Sequence, residues 1–139
     1  MFKVILNAND GSAPAFKALE FALDLAKQNK SALHVASVEE VAAFPELIGE
    51  VETERKNADY RYKQVHKRAK SMAAEKGVTL VTHVLIGHPV RSIIDLAGEL
   101  GADLLVIGAT GHSALYERLL GSRADRVIQL ASCPVLVVK

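Results

Sequence analysis

The sequence predicts an α/β fold, a single doubly wound sheet of five parallel strands in the order 3-2-1-4-5 with helices on both faces. Two observations carry that expectation. Five short apolar runs alternate with four longer stretches of helical periodicity, which is the rhythm of repeated strand-helix-strand units. Several of the runs are continuously apolar rather than alternating, as strands covered on both faces must be. Right-handed crossovers then distribute the helices over both faces, in a Rossmann-like arrangement.

The first run, "FKVIL" (2–6), precedes a polar stretch, "NANDGS" (7–12). Helix one should cover 13–29: Ala15, Leu19, Ala22, Leu23 and Ala26 share a face, Ser12 is a suitable N-cap, and Pro14 is tolerated in a first turn. Strand two is "ALHVASV" (32–38), and "EEVAAFPELIG" (39–49) reads as a loop. Helix two carries a stripe of Val51, Ala58, Tyr62, Val65, Ala69 and Met72 and stops at Gly77. Its basic segment "RYKQVHKRAK" (61–70) follows Glu46, Glu50, Glu52 and Glu54, a polarity that suits the helix dipole and makes this a solvated face, His66 included. Strand three is "TLVTHVLI" (79–86), in which His83, like His34 in strand two, reads as a hydrogen-bonded strand residue. Helix three runs from about Val90 to Leu100 between "GHP" and Gly101. Strand four is "DLLVIG" (103–108), helix four runs from Ser122 to near Ala131, and "PVLVVK" (134–139) is the last strand.

At 139 residues the chain is one domain, 1–139, able to bury about two-thirds of its unfolded surface. A formal charge of +1 gives no footprint for nucleic acid or an anionic membrane, and no apolar run approaches the length of a bilayer span. The single cysteine, Cys133, cannot form an internal disulfide and sits before Pro134 in an apolar run. It reads as a small packed side chain in a cytoplasmic protein.

Ligands of doubly wound sheets bind beyond the carboxyl ends of the strands, where the winding reverses. There the sequence is interrupted by "GATGHSALYERLLGS" (108–122). A helix N-terminus presents unpaired N–H groups and partial positive charge, and glycines let an anion approach the backbone. The segment therefore suits phosphate. It is neither a P-loop, since no G-x-x-x-x-G-K-[ST] occurs, nor a dinucleotide fingerprint, since no G-x-G-x-x-G follows strand one.

The spacing Gly108-x2-Gly111-x9-Gly121-Ser122 resembles the G-2x-G-9x-G-[S/T] signature of the ATP-binding universal stress proteins. "ILNANDGS" (5–12), "LHV" (33–35), "GHP" (87–89) and "CPVLVVK" (133–139) are similar to further segments of that family, in the same order. The resemblance spans the chain. It implies that Ala8, Asn9, Asp10 and the backbone of Val35 hold adenine, and that Gly108 lies against ribose. It further implies that Gly111, Gly121, Ser122 and Arg123 surround the phosphates of ATP or another adenine nucleotide, with Mg²⁺ riding on them where a metal is present. The polar "NAND" and the pair Arg123-Ala124 depart from the family's common pattern. Asn7 and Asn9 are expected to hydrogen-bond the strand end and turn. Arg123 is expected either to meet phosphate or to face solvent.

Hydrolysis would require a group that activates water. His112 in the glycine loop, Asp10 at the adenine end and Asp125 in helix four are isolated candidates, His88 at the cleft edge is placed to touch ribose or phosphate, and no His/carboxylate spacing suggests zinc. The expectation is a nucleotide-binding regulatory module of the stress-response type, ahead of a slow ATPase or phosphoryl-transfer enzyme and of a nucleotide-free dimeric scaffold. Strand 134–139 would lie at a sheet edge with five apolar residues, so an antiparallel homodimer through it is also expected.

Overall fold

The computed structural model describes residues 1–40, 48–110 and 120–139, except for the side chains of 48–55. The elements follow in strict alternation: β1 (Val4–Ala8), α1 (Ala13–Asn29), β2 (Ala32–Glu39), α2 (Ile48–Lys76), β3 (Leu80–Ile86), α3 (Pro89–Leu100), β4 (Leu104–Gly108), α4 (Ser122–Leu130) and β5 (Val135–Val138). All pairings are parallel and the sheet order is β3-β2-β1-β4-β5, as the sequence predicts. At the centre Asn7 of β1 stands between Val35 of β2 and Val106 of β4.

Two cores sandwich the sheet. On one face Phe16, Leu19 and Leu23 of α1 and Ala69 and Ala73 of α2 cover Ile5, Leu33, Val35 and Val106. On the other, Val90, Ile93 and Leu96 of α3 and Ala124 and Val127 of α4 cover Leu6, Ala36, Leu105 and Ile107. Neighbouring residues of each central strand thus enter opposite cores, which is why the strands read as unbroken apolar runs.

The helix ends follow local chemistry. Ser12 caps α1 by accepting from the Ala15 N–H at 3.3 Å, and Gly101 ends α3 at φ 64°, the left-handed conformation that glycine adopts without strain. Among the described residues no helix is long and apolar enough to cross a membrane.

Three expectations are corrected. β1 begins at Val4 and continues to Ala8, beyond the apolar run 2–6, because the buried Asn7 Nδ2 donates to the Val106 carbonyl at 3.0 Å and remains satisfied inside the ladder. The loop placed at 39–49 is shorter at both ends: Glu39 closes β2 and Ile48 opens α2, while 41–47 lie outside the described residues. His66 does not belong to the solvated face of α2; it is 8% exposed, hydrogen-bonded to Ser37 and stacked near Tyr62. Tyr62, Val65, Ala69 and Met72 do form the inward stripe, with His66 one position from Val65 on its border.

Candidate functional site

The carboxyl ends of β1, β2 and β4 open onto a cavity of about 380 Å³. At one end it is walled by Ala8, Asn9 and Asp10 after β1, by Ala36 and Val38 of β2, and by Tyr62 of α2. At the other end stand Gly108 and Thr110 after β4 and Gly121, Ser122 and Arg123 at the start of α4. Val90 and Ile93 of α3, Ile107, Ala124 and Val127 make an apolar floor.

The turn after β1 is held at nearly every polar group. The Asn9 N–H donates to the Ala36 carbonyl at 2.8 Å, and the Asn9 carbonyl accepts from Ser37 Oγ at 2.6 Å. Asn9 Oδ1 accepts from the Gly11 N–H at 2.8 Å, and Asp10 Oδ1 accepts from the Ser12 N–H at 3.0 Å. These are Asx turns, in which a short polar side chain fixes the backbone two residues on. Asn7 and Asn9 therefore serve the strand end and turn, as their position in the sequence suggests. Asp10 combines a turn bond with a place in the cavity wall.

Tyr62 closes this end from α2. Its hydroxyl donates to the Val38 carbonyl at 3.0 Å, and burial together with the nearby Glu39 carboxylate raises the phenol above its ordinary pKa. It stays protonated and keeps donating. Glu39 itself is buried and ion-paired with Arg61.

At the opposite end the Gly121 N–H donates to the Ala109 carbonyl at 2.7 Å, which folds the chain back before α4 begins. Gly121 is the N-cap and makes no side-chain bond; Ser122 is the first helical residue, with its side chain exposed. The N-terminus of α4 lines the cavity with its positive dipole end. The Arg123 guanidinium meets the Glu40 carboxylate at 3.0 Å, both largely exposed, so this ion pair is worth about 1 kcal/mol or less. Gly108 has a packing reason of its own: a Cβ there would come within 2.9 Å of the Pro14 carbonyl carbon and oxygen.

Of the residues the sequence nominated, Ala8, Asn9, Asp10, Gly108, Gly121, Ser122 and Arg123 come together around the cavity. Gly111 and His112 lie outside the described residues. Val35 is fully buried under α1 and α2, and β2 contributes Ala36 and Val38 to the wall instead. Sequence reasoning missed Tyr62, Val38 and Thr110 as wall residues. Tyr62 carried a signal, a phenol on an otherwise aliphatic stripe, since a buried hydroxyl needs a partner. His88 is the exposed N-cap of α3, its Nδ1 accepting from the Arg91 N–H at 3.4 Å. His34 Nδ1 lies 2.9 Å from His83 Nε2 across β2 and β3, away from the cavity wall, which matches their reading as hydrogen-bonded strand residues. Burial raises the Cys133 thiol above its ordinary pKa, and it packs against the α3/α4 core. Among the described residues no group of three or more His, Cys, Asp or Glu is arranged to hold a metal.

Comparison with known proteins agrees with this geometry. Residues 1–139 match the universal stress protein family. The universal stress protein YxiE of Bacillus subtilis is 38% identical over 151 aligned positions that cover all of both chains. Among solved structures, the universal stress protein UspA from Lactobacillus plantarum superposes with a TM-score of 0.84 at 26% identity, covering 99% of this chain and 97% of that one. A universal stress protein solved in complex with cAMP superposes with a TM-score of 0.76 at 26% identity, over 99% and 97% of the two chains.

Proposed function

The chain belongs to the universal stress protein family, and from that premise we propose that it is a regulatory module that binds an adenine nucleotide, ATP foremost. The observation that carries this reading is the cavity's two-ended chemistry: a carboxylate and a phenol ring over apolar strand ends at one side, glycine backbone and a helix N-terminus at the other. The adenine goes to the Asp10 end, where the carboxylate accepts a hydrogen bond from the exocyclic amine and the main chain of β2, near Val35 and Ala36, meets the ring edge. Ribose lies along Gly108, and the phosphates go to Gly111, Gly121, Ser122 and the α4 N-terminus. Arg123 exchanges its exposed contact with Glu40 for phosphate oxygens. Mg²⁺, where it accompanies ATP, rides on the phosphates. The relative solved with cAMP supports an adenine ligand for this type of cavity.

Occupancy then ties the loop that follows β4 to the turn that follows β1, and a partner reads the conformation that results. The test is calorimetric titration with ATP, followed by competition. ATP should bind with a Kd below about 1 mM, and GTP should compete at least about tenfold less well, because its ring carbonyl would face the Asp10 acceptor. GTP competing as well as ATP would remove Asp10 from adenine recognition. Absence of ATP binding would refute the function itself.

A further inference from the structure

Helix α2 reaches the base end of the cavity through three residues spaced as a single helical patch. The Tyr62 hydroxyl bonds to the Val38 carbonyl, Val65 packs where a Cβ on Gly11 would come within 3.0 Å of its Cγ2, and His66 Nε2 stands 2.9 Å from Ser37 Oγ. Ser37, 1% exposed, passes the contact on to the Asn9 carbonyl at 2.6 Å. A serine hydroxyl has one proton, and here it is given to Asn9. The bond from His66 must then be accepted by Ser37 Oγ, so His66 carries its proton on Nε2 and is the donor.

We propose that His66 is a positioning residue for adenine recognition: its Nε2–H holds the Ser37 hydroxyl on the Asn9 carbonyl and so fixes the Asn9–Asp10 turn that faces the base. The inference rests on the adenine-nucleotide reading of the cavity. His66 does not itself line the cavity; it stacks near Tyr62, which does, and its hydrogen-bonded link to the Asn9–Asp10 turn runs through Ser37. Burial, with Lys70 and His83 adding to it, lowers the His66 pKa, which keeps the ring a neutral donor in the folded protein. The Asn9 peptide is clamped on both sides of the turn, by Ala36 at its N–H and by Ser37 at its carbonyl. Removing the second clamp frees the carbonyl to rotate, and Asp10 moves with it.

The experiment compares wild type, His66→Leu, His66→Gln and Ser37→Ala. Glutamine can place an amide N–H where histidine has Nε2–H, and leucine cannot. The first readout, in the nucleotide-free protein, is NMR: a protonated Nε2 on His66, and amide hydrogen exchange at Gly11 and Ser12. Exchange should accelerate in His66→Leu and Ser37→Ala and return toward wild type in His66→Gln. The second readout is ATP affinity by calorimetry, which should fall about tenfold in His66→Leu and Ser37→Ala and by less than about twofold in His66→Gln. The double variant should bind no more weakly than Ser37→Ala alone, since both act along one chain of bonds. Unchanged exchange in the leucine variant, an unprotonated Nε2, or equal ATP affinity in leucine and wild-type proteins would overturn the proposal. A wild type that binds no ATP would refute the functional reading, while the exchange data would still decide whether His66 orders the turn. If His66→Leu fails to fold, Ser37→Ala carries both readouts.

Discussion

Replacing Gly108 with alanine separates what the glycine does for packing from what it does for a ligand. A Cβ added there would lie 2.9 Å from the Pro14 carbonyl carbon, 2.9 Å from its oxygen and 3.0 Å from its Cβ. Carbon atoms in van der Waals contact prefer about 3.5–4.0 Å, so the gap must open by roughly 0.5 Å or more. The obstacle is mostly backbone in the first turn of α1, which cannot rotate away as a side chain would. Either the end of β4 or the start of α1 must move, and both belong to the cores. Overpacking of this kind costs about 1–3 kcal/mol. Taking about 2 kcal/mol, a domain of this size should melt about 6–8 °C lower, by thermal unfolding without nucleotide. Gly121→Ala is the control: its φ is −62°, and the added Cβ would meet Ala109 O at 3.3 Å and Thr110 Cα at 3.5 Å. It should lose less than about 1 kcal/mol, the cost of alanine at an N-cap. A Gly108→Ala protein that melts within about 2 °C of wild type would refute the packing argument. It would leave ligand contact as the only reason for glycine at that position.

Stability should fall on acidification below pH 6.5. Burial lowers the pKa of His34, His66 and His83 from the ordinary 6.5, so the unfolded chain binds protons first and the native state loses ground as pH drops from 6.5 toward the lowered values. Urea midpoints at pH 7.5 and 5.5 should differ more for wild type than for a His34→Gln/His83→Gln variant; an equal difference would exclude the pair as its source. We also expect a homodimer at micromolar concentration, joined along β5. The carbonyls of Pro134 and Val138 accept from the N–H groups of Leu105 in β4 and Ala109 just after it, so the alternate residues Val135 and Val137 aim their backbone groups at the open edge. Val137→Pro should therefore abolish the dimer while leaving the β4–β5 ladder intact, and light scattering that finds monomeric wild type would refute the assembly. ATP turnover should stay below about one per second, and sustained faster hydrolysis that is lost in His112→Ala would overturn the binding-only reading.

Local pattern was enough for the strand-helix alternation, the parallel sheet and the address of the cavity, because burial on both faces writes continuous apolar runs and strand ends carry their turn residues beside them. Asp10, Gly108, Gly121 and Ser122 were legible for the same reason: each adjoins the end of a strand or the start of a helix. The end of β1 was not legible, since a strand that continues through Asn7 depends on the Val106 carbonyl, 99 residues away. His66 looked like one more polar residue on a basic helix face. Its burial depends on Ser37, 29 residues away in sequence, and on the rotation of α2 about its axis, which no periodicity fixes to within one position. Gly108 likewise reads as a ligand glycine until Pro14 is seen against it. The architecture and the place of the cavity at the carboxyl ends of the strands follow from neighbours along the chain, so local residue pattern is enough to specify them. Which side chains complete the Asp10 end of the cavity depends on hydrogen bonds between distant segments, and those exist only once the sheet has brought the segments together.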